Sequence, residues 1–291
     1  MAGSIGRGFS IVKSVLHPTD FSASSLIAFH HALKISMSVR SKLTLLHVSR
    51  GDAAEWSGFP GVRDTLERWG ALPNRSQRSD VGKLGIDVSK VVAEEADPVD
   101  SVVHFLNRRS ADLIVLATSK RDGLVGWLGK SVAEPVTRKA GQMTLLIPAD
   151  AEGFVSAQDG SVSLSNVLIP VAATPWPQAA VHVAARLITK WNCPKGTFTL
   201  VHVGTDDSMP AVHLPEVSGW VWKKELRTGP VIETIVEAAG DFQTDLIVMA
   251  TDGRNGFLDA FRGSHSERLL RHGAAPLLTV PINSRISRQL G

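Results

Sequence analysis

The sequence predicts an α/β protein made of two tandem, doubly wound domains, each a parallel sheet with helices on both faces. Three observations carry this. The chain has 291 residues, enough for two domains of ordinary size. It repeats itself: DLIVLAT at 112–118 returns as DLIVMAT at 245–251, LTLLHV at 43–48 as FTLVHV at 198–203, and VLHP at 15–18 as VLIP at 167–170. Each copy also alternates strand-like with helix-like patterns, and that alternation gives a parallel sheet covered on both sides. The repeated segments keep their order, as an internal duplication requires. Their spacing is wider in the first copy, which therefore carries extra residues between about 49 and 90.

In the first copy, 12–17 is a short apolar run ending at Pro18, and 22–37 has apolar residues at helical spacing. Strands follow at 43–48 and, more weakly, at 86–92. Segment 98–107 is helical, with Val102, Val103, Phe105 and Leu106 on its apolar side. Segment 113–117 is wholly apolar, as a strand buried on both faces should be. A helix at 131–140 and a last strand at 143–147 complete the copy. The second repeats the scheme with strands at 167–171, 198–203, 220–226, 246–250 and 277–280, and helices at 175–190, 231–240 and 264–272. Thr174 before Pro175 reads as an N-cap with proline in the first helical position. The stretch 150–165, rich in Ser, Gly and Ala, reads as the linker. The domains are thus expected at 1–150 and 166–291.

Composition excludes several chemistries. Cys193 is the only cysteine, so neither an intrachain disulfide nor a cysteine-cluster metal site can form. There is no tyrosine, and tyrosine chemistry goes with it. A formal charge of +3 argues against a nucleic-acid protein working by bulk charge. The N-terminus lacks the apolar segment of a signal peptide, and no apolar run approaches the roughly 18 residues of a membrane span. The expectation is a cytoplasmic protein without membrane or nucleic-acid partners.

In an open parallel sheet, ligands bind beyond the carboxyl ends of the strands, so the loop after the DLIV strand is the informative one. In the second copy it holds Gly253, nine intervening residues, then Gly263 and Ser264. Ser264 with Glu267, and Ser131 with Glu134, form capping boxes. Those pairs start helices and need no ligand. The same geometry, a glycine-lined loop ending at a helix N-terminus, also suits a phosphate. Asp20, after the first strand, has two readings as well: a ligand contact, or a cap of the first helix shared with Ser22.

The run DLIVMATDGRNGFLDAFRGSHSERLLR at 245–271 resembles the signature of universal stress proteins, and both halves of the chain resemble the tandem form of that family. The resemblance implies a five-stranded fold of order 3-2-1-4-5 and a role in stress tolerance with no defining reaction. Some members bind ATP through G-x2-G-x9-G-(S/T); others lack the motif and do not. Carried over, the motif falls on Ala250, Gly253, Gly263 and Ser264 in the second copy, and on Ala117, Lys120, Lys130 and Ser131 in the first. The backbone of Val203, at the end of strand two, would lie near the base, with Val48 as its first-copy equivalent. The family's aspartate after strand one, which faces the adenosine, is present as Asp20 and replaced by Ala172 in the second copy. ATP or a related adenine nucleotide is therefore expected in the second domain only. The family's pairing mode, together with the apolar last strands, predicts an intrachain pseudo-dimer through 143–148 and 277–281. A homodimer beyond that is left open.

Other features read more plainly. Gly129-Lys130-Ser131 ends like a P-loop, but Leu124 stands where the P-loop glycine belongs and the strand lies too far upstream. Lys120 and Lys130 read as a solvated pair. No HExxH or two-histidine-plus-carboxylate spacing appears, so the histidines (the adjacent His30 and His31, the strand-end His47 and His202, and His265 and His272 seven apart on one helix) are expected at the surface or at strand ends, with a metal or ligand held by His202 and His265 as the alternative. Trp220 and Trp222 fall on one side of a strand and should pack against a neighbour. Segment 209–215 is either a lid or a surface loop. No activated nucleophile or base–orienter pair stands out. The leading expectation is a stress-response protein that binds ATP or another small phosphate-bearing ligand in its second domain without catalysis. A stress-related interaction protein that binds no nucleotide is the alternative, and slow ATP hydrolysis a weaker third.

Overall fold

A computed structural model describes residues 12–49, 56–94, 97–118, 136, 141–149, 151–252 and 275–284. The first half runs β1 (Ser14–Thr19), α1 (Ala23–Val39), β2 (Lys42–Ser49), α2 (Val62–Arg68), α3 (Arg78–Lys83), β3 (Asp87–Glu94), α4 (Pro98–Arg108), β4 (Leu113–Ala117) and β5 (Met143–Ile147). The second runs β6 (Asn166–Pro170), α5 (Gln178–Trp191), β7 (Gly196–Val203), β8 (Trp220–Arg227), α6 (Val231–Asp241), β9 (Leu246–Thr251) and β10 (Leu277–Pro281).

The ten strands form one sheet in the order β3-β2-β1-β4-β5-β10-β9-β6-β7-β8. Each half keeps the order 3-2-1-4-5, and every strand pair within a half is parallel. The halves are not two separate sheets. Their last strands pair antiparallel, with Leu277 opposite Leu146, Leu278 opposite Leu145 and Thr279 opposite Thr144. Every residue of β5 and β10 is buried. Left unpaired, two such apolar edges would be open to aggregation, and joining them removes both.

The repeated DLIV aspartates do the same structural work in both halves. Asp112 Oδ2 accepts from the amides of Lys13 and Ser14, at 2.8 and 3.1 Å, and ties the start of β1 to β4. Asp245 Oδ2 accepts from the amides of Ser165 and Asn166, at 2.7 and 2.8 Å, at the start of β6. On one sheet face, α1 and α5 bury Phe29, Leu33, Val183 and Ile188 in a core shared by the two halves. On the other, α4 covers β1 and β4 with Val102 and Leu106, and α6 covers β6 and β7 with Ile235 and Ala238.

Two expectations change. The linker is packed to a degree its Ser-, Gly- and Ala-rich composition did not suggest: Phe154, Val155 and Leu164 are buried, and a bridge between Val155 and Val162 folds 151–165 into a small hairpin. Helix α5 starts at Gln178, with Pro177 as its cap and no capping side chain, so Thr174 does not cap it. Thr174 and Trp176 each precede a proline, which pushes both out of the helical region. The extra residues of the first copy supply α2 and α3, anchored by the buried Leu66 and Val81.

Candidate functional site

Open parallel sheets bind ligands in crevices beyond the carboxyl ends of their strands, and the duplication gives two such places with different surroundings. In the first half the chain leaves β1 through Asp20, Phe21 and Ser22. Phe21 sits at φ 64°, a left-handed conformation uncommon for a bulky residue. Its ring stacks on His47, with centroids 4.0 Å apart and planes at 17°, and meets Phe59 edge-on at 5.2 Å. Phe59 comes from the extra residues and is buried. Its own faces take Trp56, stacked at 5.7 Å, and the Lys90 ammonium, 5.4 Å from the ring centre. The Phe21 ring lies so close to Gly58 that a Cβ there would strike it. Aromatic side chains thus fill the space beside the ends of β1 and β2.

Asp20 Oδ1 accepts from the Ser22 amide at 3.1 Å and the Ser22 hydroxyl at 2.7 Å. Ser22 in turn caps α1, accepting from the Ser25 amide at 3.1 Å. Asp20 therefore orients the cap, and Ser22 is the cap itself. Val48 is buried in β2, paired with Ala93. Ser131 and the lysines Lys120 and Lys130 lie outside the described residues.

In the second half β6 is followed by Val171, then by Ala172, Ala173 and Thr174, all three exposed. The position of Phe21 is taken here by Ala173, which carries no ring. His202 occupies the place of His47 and makes the same bond: its Nδ1 donates to the Val171 carbonyl at 2.9 Å, as His47 Nδ1 does to Thr19 at 2.8 Å. Its Nε2 pairs with the Ser208 hydroxyl at 2.8 Å. Val203 is half-buried beside these groups and paired with Arg227. Ala250 is buried in β9, in strand backbone paired with Val280, so its methyl group meets no conformational penalty. One carboxylate oxygen of Asp252, just past β9, is buried with no hydrogen-bond partner. Gly253, Gly263 and Ser264, and the histidines His265 and His272, lie outside the described residues.

Segment 209–215 is a strap whose C-terminal end is fixed by side chains. Gln178 and His213 exchange two hydrogen bonds of 2.8 Å, and Trp222 Nε1 donates to the Pro215 carbonyl at 2.9 Å. Met209, Val212 and Leu214 pack on the core. Trp220 and Trp222 both lie against Phe198, at 4.6 and 4.2 Å, so this pair is packing. Cys193 is buried, which pushes its thiol pKa up, away from reactivity.

The histidines depart most from expectation. His30 and His31 are buried, not at the surface, because α1 is apolar nearly all round and is covered by the sheet, α2, the hairpin and α5. The near-absence of a polar stripe along 23–35 was the signal in the sequence. Burial holds His17, His30 and His31 each near a pKa of about 4, so all three are neutral at physiological pH. Among the described residues no group of three or more His, Cys, Asp or Glu could hold a metal, and no helix is long and apolar enough to cross a membrane.

The model of the universal stress protein family matches residues 12–148 and 216–281, on both sides of the hairpin. A universal stress protein of Methanocaldococcus jannaschii is 28% identical over 142 residues, covering 47% of this chain and 82% of its own. Among solved structures, one of a universal stress protein from Archaeoglobus fulgidus superposes with a TM-score of 0.58 at 15% identity, covering 93% of this chain and 98% of that one. One from Pseudomonas aeruginosa gives 0.61 at 12% identity, covering 94% of each. These likenesses span both halves of the sheet, as the repeats and the paired strand orders do, and the chain belongs to the universal stress protein family in its tandem form.

Proposed function

We propose that this protein is a stress-response protein whose second half, 166–291, binds ATP or another small phosphate-bearing ligand and holds it without turning it over. The observation that carries the reading is the contrast between the two strand-end crevices. The first is filled by Phe21, His47, Phe59 and Trp56. Among the described residues, the second has the exposed Ala172 and Ala173 at the corresponding exit from β6. A concave site must have room before it can have affinity. Glycines 253 and 263 with Ser264 would supply amide and hydroxyl donors to phosphate, and the unpaired Asp252 oxygen would accept from a sugar hydroxyl or an exocyclic amine. The Val203 backbone would flank the base.

Ala172, standing where the first half has Asp20, favours a second reading: a protein–protein interaction module that binds no nucleotide. Equilibrium binding of ATP to the purified chain and to Gly263→Asp separates the two. The first reading expects saturable binding of one ATP per chain, weakened at least about tenfold by a carboxylate placed in the phosphate loop. Absence of saturable binding at millimolar ATP would refute it. Turnover by the wild type that the variant lacks would make the protein an ATPase.

A further inference from the structure

The hairpin 151–165 is held to the first half by one imidazole nitrogen directly and by a second through Arg68. His31 Nδ1 donates to the Ile27 carbonyl at 2.9 Å, which leaves Nε2 as an acceptor. That one nitrogen accepts from two consecutive backbone amides of the hairpin, Phe154 at 3.0 Å and Val155 at 3.2 Å. The chain reaches it through Gly153 at φ 72°, where a Cβ would strike the imidazole. One turn of approach is thus shaped around a neutral ring. Beside it, His30 Nε2 accepts from Arg68 Nη2 at 3.3 Å. Arg68 Nε and Trp69 Nε1 then both donate to the hairpin carbonyl of Ala157, at 3.0 and 3.2 Å. Phe154 itself packs edge-on against His31 at 4.6 Å and against Trp191 of α5 at 5.2 Å. The hairpin therefore touches α1 and α2 of the first half and α5 of the second.

We infer that His31, seconded by His30, is a proton-operated latch: a proton taken at Nε2 turns the acceptor into a donor facing two amide donors, and the hairpin 151–165 is released from α1. A protonated His30 faces the Arg68 guanidinium in the same way, cation against cation. The ionisable groups around the pair offer no relief. From α2 there is Arg68, along α1 there is Lys34, both positive, and from β1 there is His17, whose proton would repel one on His30. From the hairpin there is Asp159, held at a pKa of about 2 by the amide and hydroxyl of Ser161, at 3.0 and 2.8 Å; its negative charge acts on Lys34 and not on either imidazole. From α5 the neighbour is Trp191, which does not titrate. Among the described residues neither imidazole has an ion-pair partner, so the proton is compensated only when the ring reaches water. Burial keeps both rings unprotonated until the pH approaches about 4, while an opened hairpin lets them titrate near 6.5. Opening is therefore favoured progressively as pH falls between these values. The seam between β5 and β10 contains no histidine and stays paired, so release is local.

The test is amide hydrogen exchange of Phe154 and Val155 in the full chain, corrected for the intrinsic pH dependence of exchange. With both rings titrating on opening, protection should fall several hundredfold between about pH 7 and about pH 5, roughly twentyfold for each ring. In His31→Gln the amide oxygen can accept in place of Nε2 but takes no proton, so only the share of His30, roughly twentyfold, should remain. An unchanged wild-type protection, or an equal fall in His31→Gln, overturns the latch. Should the variant fail to fold, the imidazole nitrogen signals of the wild type decide. The midpoint of His31 protonation must coincide with loss of protection. Loss of protection while His31 remains neutral also overturns the proposal.

Discussion

Replacing Phe154 with alanine tests whether the hairpin between the halves is a structural part of the core or a passive connection. The ring is 1% exposed, with His31 on one side and Trp191 on the other. Truncating a fully buried phenylalanine costs about 3–5 kcal/mol when the cavity cannot collapse. Collapse is hindered here, because the walls belong to α1 and α5, which are fixed on opposite sides of the sheet seam. That loss is a large part of the roughly 5–15 kcal/mol by which domains are usually stable. Urea unfolding followed by tryptophan fluorescence and by far-ultraviolet circular dichroism measures it. The midpoint should move strongly to lower urea, and Phe154→Leu, which keeps most of the volume, should lose less than about 1.5 kcal/mol. A loss below about 1 kcal/mol for Phe154→Ala would show that the hairpin does not share the core, and the account of the two halves as one packed body would fall with it.

Three further outcomes are expected. His17 is buried, with Nδ1 donating to the Val115 carbonyl at 2.9 Å and its pKa lowered to about 4, so the folded chain resists a proton that the unfolded chain accepts near 6.5. Its neutral form supports the fold above about pH 6.5, and up to about 3 kcal/mol is lost as pH falls from there toward 4; thermal midpoints between pH 7 and 4.5 that do not move would contradict this. Asp245→Ala removes the acceptor of two backbone amides at the start of β6 and should destabilise by about 2–3 kcal/mol, more than Asp245→Asn, as read by urea unfolding. Phe21→Gly suits the left-handed backbone at that position but empties the space on His47, so it should make the first crevice accessible to a hydrophobic dye while changing second-half ATP affinity by less than about twofold.

Much of the fold was legible because buried parallel strands announce themselves. Segment 113–117 is wholly apolar and is β4, and 143–147 is β5. At the sheet margin the signal weakens: β3 has hardly any buried residue, and its bounds fell slightly beyond the expected 86–92. Helices α2 and α3 were not legible, since pieces of seven and six residues are held by tertiary anchors such as Leu66 rather than by their own propensity. The site was legible as a place and not as a shape. Asp20 next to Ser22 already suggested a cap, but the ring that joins Phe21 at His47 comes from Phe59, in a segment with no repeat to align it to. The linker misled for a similar reason: Ser- and Gly-rich composition describes most of 151–165, whereas its placement is decided by Phe154, Val155 and two amides on His31.

The antiparallel seam has a consequence for how the two halves can cooperate. Because β5 and β10 run in opposite directions while each half is internally parallel, the carboxyl ends of the two sets of strands point to opposite ends of the sheet. One ligand therefore cannot bridge the two crevices, and each must act alone or through the protein between them. The chain leaving β5 at Ile147 emerges at the same end of the sheet where β6 begins at Asn166, so 151–165 need not cross the sheet. It folds instead at the end that carries the filled first crevice, against Arg68 and Trp69 from the extra residues. The first half's insertion thus closes one crevice and supports the connection to α5, whose first residue, Gln178, holds the strap 209–215. A duplication that kept both crevices open would have no such brace, because the residues that fill the first are continuous with those that clamp the hairpin. The inequality of the halves has this structural content: the insertion of one copy braces the assembly, and under the proposed function binding would fall to the other.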